Sequence, residues 1–324
     1  MLCHNLSGPD GLTIDRIPRE APKSGEVRLK VRACGVNFPD LLMTRGLYQF
    51  KPDPPFCPGM EVSGEVLELG ADVKGFAVGD RVVARTMSLY PGFAEEITLP
   101  ASYLLSIPKA MNDVTAAALF VTYYTSYNAL VEKARLQSGE TVLVHGAAGG
   151  VGLAAVQIAH ALGAKVIATA GSAEKIAFLR KQGVSDVINY SDEDIRARVK
   201  EITGRAGVDV ALDPVGGAAF DASVRSLAPG GRLCVVGFTS GSMGSVPSNI
   251  VLIKEISVIG IRAGEFALRH PDRMRAGFAR LCDWFEAGKI APEIARKFPL
   301  EQAADALRAL EERSAIGKVV VTIS

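Results

Sequence analysis

No run of about 18 apolar residues occurs anywhere in the 324-residue chain, so no segment reads as a membrane span. The opening, MLCHNLSGPDGLTIDRIPRE, is polar and broken by Gly and Pro, with none of the apolar core of a secretory signal. Cysteine is sparse: Cys3, Cys34, Cys57, Cys234 and Cys282 are scattered, odd in number and never spaced C-x-x-C. That argues against a disulfide framework and for free thiols in a reducing compartment, so the expected location is cytoplasmic. Charge of one sign is also missing. Lys and Arg total 36 against 35 Asp and Glu, a net charge of +1, which leaves no basic stripe for nucleic acid and no charged tail. The four histidines (His4, His145, His160, His270) have no second histidine and no serine or cysteine nucleophile at a suggestive spacing, and each reads as structural.

What is present is a large apolar content, 48% against 22% charged, on a chain long enough for two domains. Residues 1–120 carry short alternating runs such as GEVRLKVRACGV (25–36), EVSGEVLELG (61–70) and GDRVVAR (79–85), the pattern of an antiparallel, barrel-like β domain. Near residue 113 the pattern changes. DVTAAALFVTYYTSYNALVEKA reads as a helix with Asp113 as its N-cap. Strands TVLVHG, KVIATA, DVINY, VDVALDP, GGRLCVVGF and ISVIGI then alternate with helical stretches, which predicts a doubly wound parallel sheet. The ending, FPLEQAADALRALEERSAIGKVVVTIS, reads as helix then strand returning to the first domain. The expected class is α/β, with one domain from residues 1–120 and 290–324 and the other from 121–289.

The segment VLVHGAAGGVG (142–152) resembles the dinucleotide fingerprint G-x-G-x-x-G, with Ala147 in place of the first glycine. A turn of this kind brings backbone N–H groups of Ala148, Gly149, Gly150 and Val151 towards a pyrophosphate at a helix N-terminus, and Gly152 lets the helix pack on the strand. A glycine-rich turn without a ligand is the alternative; the strand signals that follow favour a nucleotide site. An NAD site places Asp or Glu about 20 residues beyond the loop. Here that stretch reads Thr169, Ala170, Gly171, Ser172, with no carboxylate, and Lys175 follows one helical turn later. Space, a hydroxyl and a cation suit a 2′-phosphate, so the expected coenzyme is NADPH. Glu174 counts against this, because it could reach the same region.

GVNFPDLLMTRGLY (35–48), PGMEVSGEV (58–66), GDRVV (79–83), AAGGVG (147–152), VINYSDED (187–194) and GKVVV (317–321) occur together in this order. In that combination the chain resembles the zinc-free quinone oxidoreductase, or zeta-crystallin-like, family of the medium-chain dehydrogenase/reductases. The resemblance implies a GroES-like β-barrel domain plus a Rossmann doubly wound parallel sheet. It implies no metal, because Asn37 and Met60 stand where zinc-dependent relatives carry a cysteine and a histidine ligand, and an amide and a thioether are poor substitutes. Glu61 is then a general base or, more simply, a structural remnant.

By the same resemblance Asn37 and Thr122 line the nicotinamide and substrate. Tyr48 is either a proton donor or an aromatic wall residue. Gly171, Ser172, Lys175, Tyr190 and Arg313 contact the 2′-phosphate, and Arg313 would come from the C-terminal return segment. Val236, Gly237 and Phe238, with the Asp213–Gly216 turn, lie at strand ends where such sheets bind ligands. Pro214 replaces a serine or threonine often found there, which puts one coenzyme hydrogen bond in doubt.

The function implied is NADPH-dependent hydride transfer to a quinone. Reduction of an enone or enoyl thioester is the enzymatic alternative, with Arg45, Arg262 and Arg269 as candidate coenzyme A contacts. An NADPH-binding protein without turnover is the third. The unpaired edge at ISVIGI points to a homodimer.

Overall fold

The computed structural model describes residues 1–86 and 91–324. It divides into two compact units, residues 1–121 with 292–324, and residues 122–291. In chain order the first strands are β1 (Leu2–Cys3), β2 (Leu12–Thr13), β3 (Glu26–Gly35), β4 (Glu61–Leu69), β5 (Arg81–Arg85), β6 (Glu96–Pro100) and β7 (Leu104–Ser106). There follow β8 (Thr141–Val144), β9 (Lys165–Ala170), β10 (Asp186–Asn189), β11 (Val208–Asp213), β12 (Leu227–Val235) and β13 (Ser257–Gly260). The last strands are β14 (Ile294–Pro299) and β15 (Lys318–Thr322). The α-helices are α1 (Phe38–Thr44), α2 (Asp113–Tyr127), α3 (Gly150–Ala161), α4 (Ala173–Lys181), α5 (Ile195–Ile202), α6 (Ala218–Ser226), α7 (Ser248–Lys254), α8 (Ala263–Arg269), α9 (Pro271–Glu286) and α10 (Ala303–Glu311).

In the first unit a sheet runs β14-β15-β3-β4-β5-β7, with β6 also on β3. Its pairings are antiparallel except β14 with β15. Strand β3 explains the core. Val27, Leu29 and Val31 recur at every second position and are buried with Val62, Val66, Val82, Leu99 and Val321. Burial stabilises each such side chain by roughly 1.5–3 kcal/mol. Residues 317–321 do return to this sheet, where β15 pairs with β3. Strand β14 was not legible in the sequence, since IARKFP does not alternate and Arg296 and Lys297 are exposed.

The second unit holds a six-stranded sheet in the order β10-β9-β8-β11-β12-β13, parallel at every pairing. This is the doubly wound order, whose reversal lies between β8 and β11. Its central strands are covered on both faces, so β8 reads as a continuous apolar run, and Val142, Leu143 and Val144 are fully buried.

The expected cap of α2 is corrected. Asn112, not Asp113, accepts the Thr115 N–H through Oδ1 (2.9 Å). The helix also does not run on as α-helix to residue 134. Asn128–Lys133 form a π-helical stretch, and the Ala134 N–H reaches back five residues to the Ala129 carbonyl (2.8 Å). Among the described residues no helix is long and apolar enough to cross a membrane.

Two glycines of the 146–152 segment have different physical jobs. A Cβ on Gly152 would overlap the Gly146 carbonyl oxygen and crowd the Ala147 Cα, so this glycine is required by packing of α3 on its own loop. A Cβ on Gly149 would meet only the Gly146 oxygen at 3.4 Å, an ordinary contact, and its φ of −83° suits any residue. Gly152→Ala should therefore lower the melting temperature by several degrees despite alanine's better helix propensity, while Gly149→Ala should leave it within about a degree or two. Thermal unfolding of the two variants beside the wild type checks this; equal destabilisation would refute it.

Candidate functional site

At the head of α3 the N-cap is Gly149, which has no side chain to satisfy the first-turn amides. The turn is held by its own backbone: Gly149 N–H donates to Gly146 O (3.0 Å) and Ala147 N–H to Thr169 O (3.1 Å). Ala147 and Ala148 are buried, while Gly150 and Val151 are half-buried. The Ser126 hydroxyl is within donating distance of Thr122 O (3.1 Å) and Val151 O (2.8 Å), which ties the last turn of α2 to this loop.

The strand end next to it is built by Asp213. Its Oδ1 accepts from Val215 N–H (2.8 Å) and Gly216 N–H (2.9 Å), and its backbone carbonyl accepts from Val236 N–H (2.9 Å). Thr239 N–H donates to Pro214 O (3.1 Å), so residues 213–216 and 236–239 are zipped together, with Gly237 between them and Phe238 exposed. Asp213 is buried, and its Oδ2 has no hydrogen-bond partner among the described residues. Burial raises its pKa, opposed by the two amides.

Beyond β9 the structure groups Gly171, Ser172, Lys175 and Tyr190. The Tyr190 ring lies against Gly171 so closely that a Cβ there would stand 2.5 Å from the phenol oxygen. Ser172 caps α4, its Oγ accepting from the Lys175 N–H (3.4 Å), which leaves its own O–H to donate. Lys175 lies in the first turn of α4. Partial burial lowers its pKa, and Glu174 opposes that shift. Arg313 belongs to the other unit, beyond α10, in a left-handed conformation (φ 51°).

In the first unit Asn37 precedes α1 and sits in a buried polar lattice. Its Nδ2 donates to Gly35 O (3.1 Å) and Glu61 Oε1 (2.9 Å), and its Oδ1 accepts from Lys318 Nζ (2.5 Å). Lys318 Nζ also lies 2.7 Å from Glu61 Oε1, and Glu61 Oε2 accepts the Val121 N–H (2.6 Å). Asp40 accepts from the Asn37 N–H (2.8 Å) and the Gly59 N–H (3.1 Å). Burial pushes the Asp40 pKa up to about 7 against those amides and against Lys318. Glu61 is 0% exposed with both oxygens engaged, the arrangement of a structural group.

Met60 packs with Cys3, Met43, Phe56 and Tyr48. Tyr48 is half-buried, and its hydroxyl accepts from Gln49 Nε2 (3.4 Å). Among the described residues no three His, Cys, Asp or Glu side chains group as a metal site.

Comparison with known proteins follows this geometry. Residues 23–109 match the "Alcohol dehydrogenase GroES-like domain" family and residues 150–283 the "Zinc-binding dehydrogenase" family. Quinone oxidoreductase-like protein 2 of Mus musculus is 41% identical over 323 residues, 99% of this chain and 91% of that protein. The chain belongs to the quinone oxidoreductase family of the medium-chain dehydrogenase/reductases. The Escherichia coli quinone oxidoreductase solved with NADPH superposes with a TM-score of 0.90 at 31% identity, covering 99% of this chain and 98% of that one. The CurK enoyl reductase gives 0.88 at 30% identity, covering 100% and 99%. The expected GroES-like and Rossmann architecture is therefore the architecture found.

Lys318 and Asp40 were not singled out in the sequence of this quinone oxidoreductase family member. The signal was there for Lys318: a lysine opening the valine run of GKVVV must be buried with a partner or turned outward. His145, read as structural, is buried, but its partners lie on other elements rather than locally. Its ring nitrogens contact Thr169 Oγ1 (3.2 Å) and Ser223 Oγ (2.8 Å), and burial lowers its pKa to about 4. The unfolded chain, with an ordinary histidine pKa of 6.5, binds a proton that the native state refuses. Stability from this group is thus complete above pH 6.5 and is lost on acidification towards pH 4, at about 1.4 kcal/mol per pH unit. Urea unfolding of wild type and His145→Gln should give a stability difference that shrinks by that slope through this window; a pH-independent difference would contradict it.

Proposed function

We propose that the protein is a zinc-independent oxidoreductase that transfers hydride from NADPH to a quinone. The observation that carries the coenzyme choice is the end of β9. No carboxylate stands at Ala170, Gly171 or Ser172; the Tyr190 ring packs against Gly171, and Lys175 lies in the first turn of α4. The residues present fit such a coenzyme, because Gly149 caps α3 without a side chain over the first-turn amides and Ser172 keeps an O–H to donate beside Lys175. The relatives' names and the NADPH complex of the Escherichia coli protein support the same reading.

In this reading the backbone of Ala148, Gly149, Gly150 and Val151 holds the pyrophosphate at the head of α3. Gly171, Ser172, Lys175, Tyr190 and Arg313 hold the 2′-phosphate through donors and two cations. Val236, Gly237, Phe238, Asn37 and Thr122 line the nicotinamide end, and Tyr48 stands on the substrate side. NADPH, when bound, supplies the hydride; the protein supplies position and hydrogen bonds. A quinone suits a site without a metal, because its reduced oxygen is a delocalised phenolate that needs no strong acid.

A second reading, reduction of an enone or enoyl thioester, is favoured by the half-buried Tyr48 hydroxyl, a potential proton donor, and by the enoyl reductase among the structural relatives. We also infer a homodimer through β13, an edge strand with exposed Val258 and with Met243, Leu252 and Ile253 exposed on the segment leading to it. A cytoplasmic location goes with the five free cysteines.

NADPH oxidation followed with a quinone panel and an enone panel decides the substrate class: turnover of quinones alone supports the first reading, and turnover of enones alone replaces it. Lys175→Ala should weaken NADPH binding by about 10- to 100-fold and leave NADH nearly unchanged, since a hydrogen bond to a charged group contributes roughly 1.5–3 kcal/mol. Arg313→Ala should act in the same direction and non-additively with it. Equal losses for both coenzymes would overturn the 2′-phosphate assignment.

A further inference from the structure

We propose that Lys318 is a positioning residue that fixes Asn37 as a hydrogen-bond acceptor, so that the ligand group meeting Asn37 is a donor, an O–H or N–H, and not a carbonyl. The inference rests on the reading that Asn37 faces the coenzyme and substrate.

An asparagine amide has two N–H donors and one oxygen with two lone pairs. Both Nδ2 donors of Asn37 are used inside the protein, on Gly35 O and Glu61 Oε1. One lone pair of Oδ1 takes the Lys318 ammonium. The backbone N–H is also used, on Asp40 Oδ2, and the backbone carbonyl accepts the Asp40 N–H (3.0 Å). What the side chain retains for a ligand is the second lone pair of Oδ1.

The orientation has no alternative in this setting. Turning the amide over would aim its NH2 at the ammonium of Lys318 and its oxygen at the carboxylate of Glu61 and the carbonyl of Gly35. The pair that enforces this is buried from water, with Lys318 4% and Glu61 0% exposed, and Asn37 itself is 6% exposed. In such surroundings water screens each charge less than it would at the surface. Gly35 makes room for the arrangement, since a Cβ there would stand 2.5 Å from Glu61 Oε1.

The consequence deepens the proposed reaction. Asn37 gives no hydrogen bond to the quinone carbonyl. It receives one, from an O–H or N–H of the coenzyme's nicotinamide end or from the hydroxyl of the reduced product.

The test replaces the buried pair by neutral groups of similar size, Lys318→Met with Glu61→Gln, which removes both charges together and leaves neither unpaired. Three affinities are compared with wild type: NADPH, a hydroquinone as product inhibitor, and adenosine 2′,5′-bisphosphate, which lacks the nicotinamide end. The expected result is a loss of about tenfold for NADPH or for the hydroquinone, whichever supplies the donor, with adenosine 2′,5′-bisphosphate unchanged. Lys318→Arg, which keeps the charge, should recover most of the loss.

No loss for NADPH and the hydroquinone, or an equal loss for all three ligands, overturns the proposal. A wild-type protein that binds no NADPH overturns instead the reading on which it rests. Neutron diffraction of the wild-type protein decides the amide orientation without any variant: deuterons on the Asn37 atom facing Glu61 support the proposal, and deuterons facing Lys318 refute it.

Discussion

The ion pair between Lys318 and Glu61 is the constraint around which the first unit is arranged. It joins β15 to β4, while β3 lies between them, with Gly35 paired to Glu61 on one side and to Val320 on the other. Two charges taken out of water are costly, and their attraction offsets that cost only when the remaining hydrogen-bonding capacity is filled. Here Asn37 supplies an acceptor to Lys318 and a donor to Glu61, and the Val121 N–H takes the second carboxylate oxygen. Removing one partner alone would strand a buried charge, typically a loss of about 3–5 kcal/mol. The chain's C-terminal return is thus secured by a specific polar contact as well as by the valines of β15.

The second unit solves a different problem with backbone alone. The turns after β8 and β11 flank the reversal of strand order, where a doubly wound sheet leaves a crevice at its strand ends. Gly149 leaves the head of α3 without a side-chain cap, and Asp213 ties the neighbouring turn to residues 236 and 237. Small residues there serve two separate ends, close packing at Gly152 and an unobstructed surface at Gly149.

Much of this was legible in the sequence because it is carried by local pattern. Alternation marked β3, β4 and β5, and the succession of apolar runs and helical periods marked the second unit as a doubly wound parallel sheet. The chain's return to the first sheet was legible from GKVVV. Strand β14 was not, because charged side chains occupy the positions where alternation should show apolar ones. The cap of α2 was misplaced by one residue, since Asn112 and Asp113 carry equally good capping side chains and only geometry separates them. The lattice around Asn37 was half legible. Asn37 stood out by what it replaces, but its charged partners lie at positions 61 and 318, and contacts so far apart in sequence have no local signature.

The same lattice of Asn37, Glu61 and Lys318 bears on our proposal that the reaction needs no metal. Its chemistry is an amide, a carboxylate and an ammonium, and an ammonium already held by the carboxylate leaves little for a soft dication. The most direct measurement is elemental analysis of the purified protein together with quinone reduction before and after prolonged chelation. The account predicts no stoichiometric zinc and undiminished NADPH-dependent turnover. Zinc at one equivalent per chain, with activity lost on chelation and restored by the metal, would contradict it.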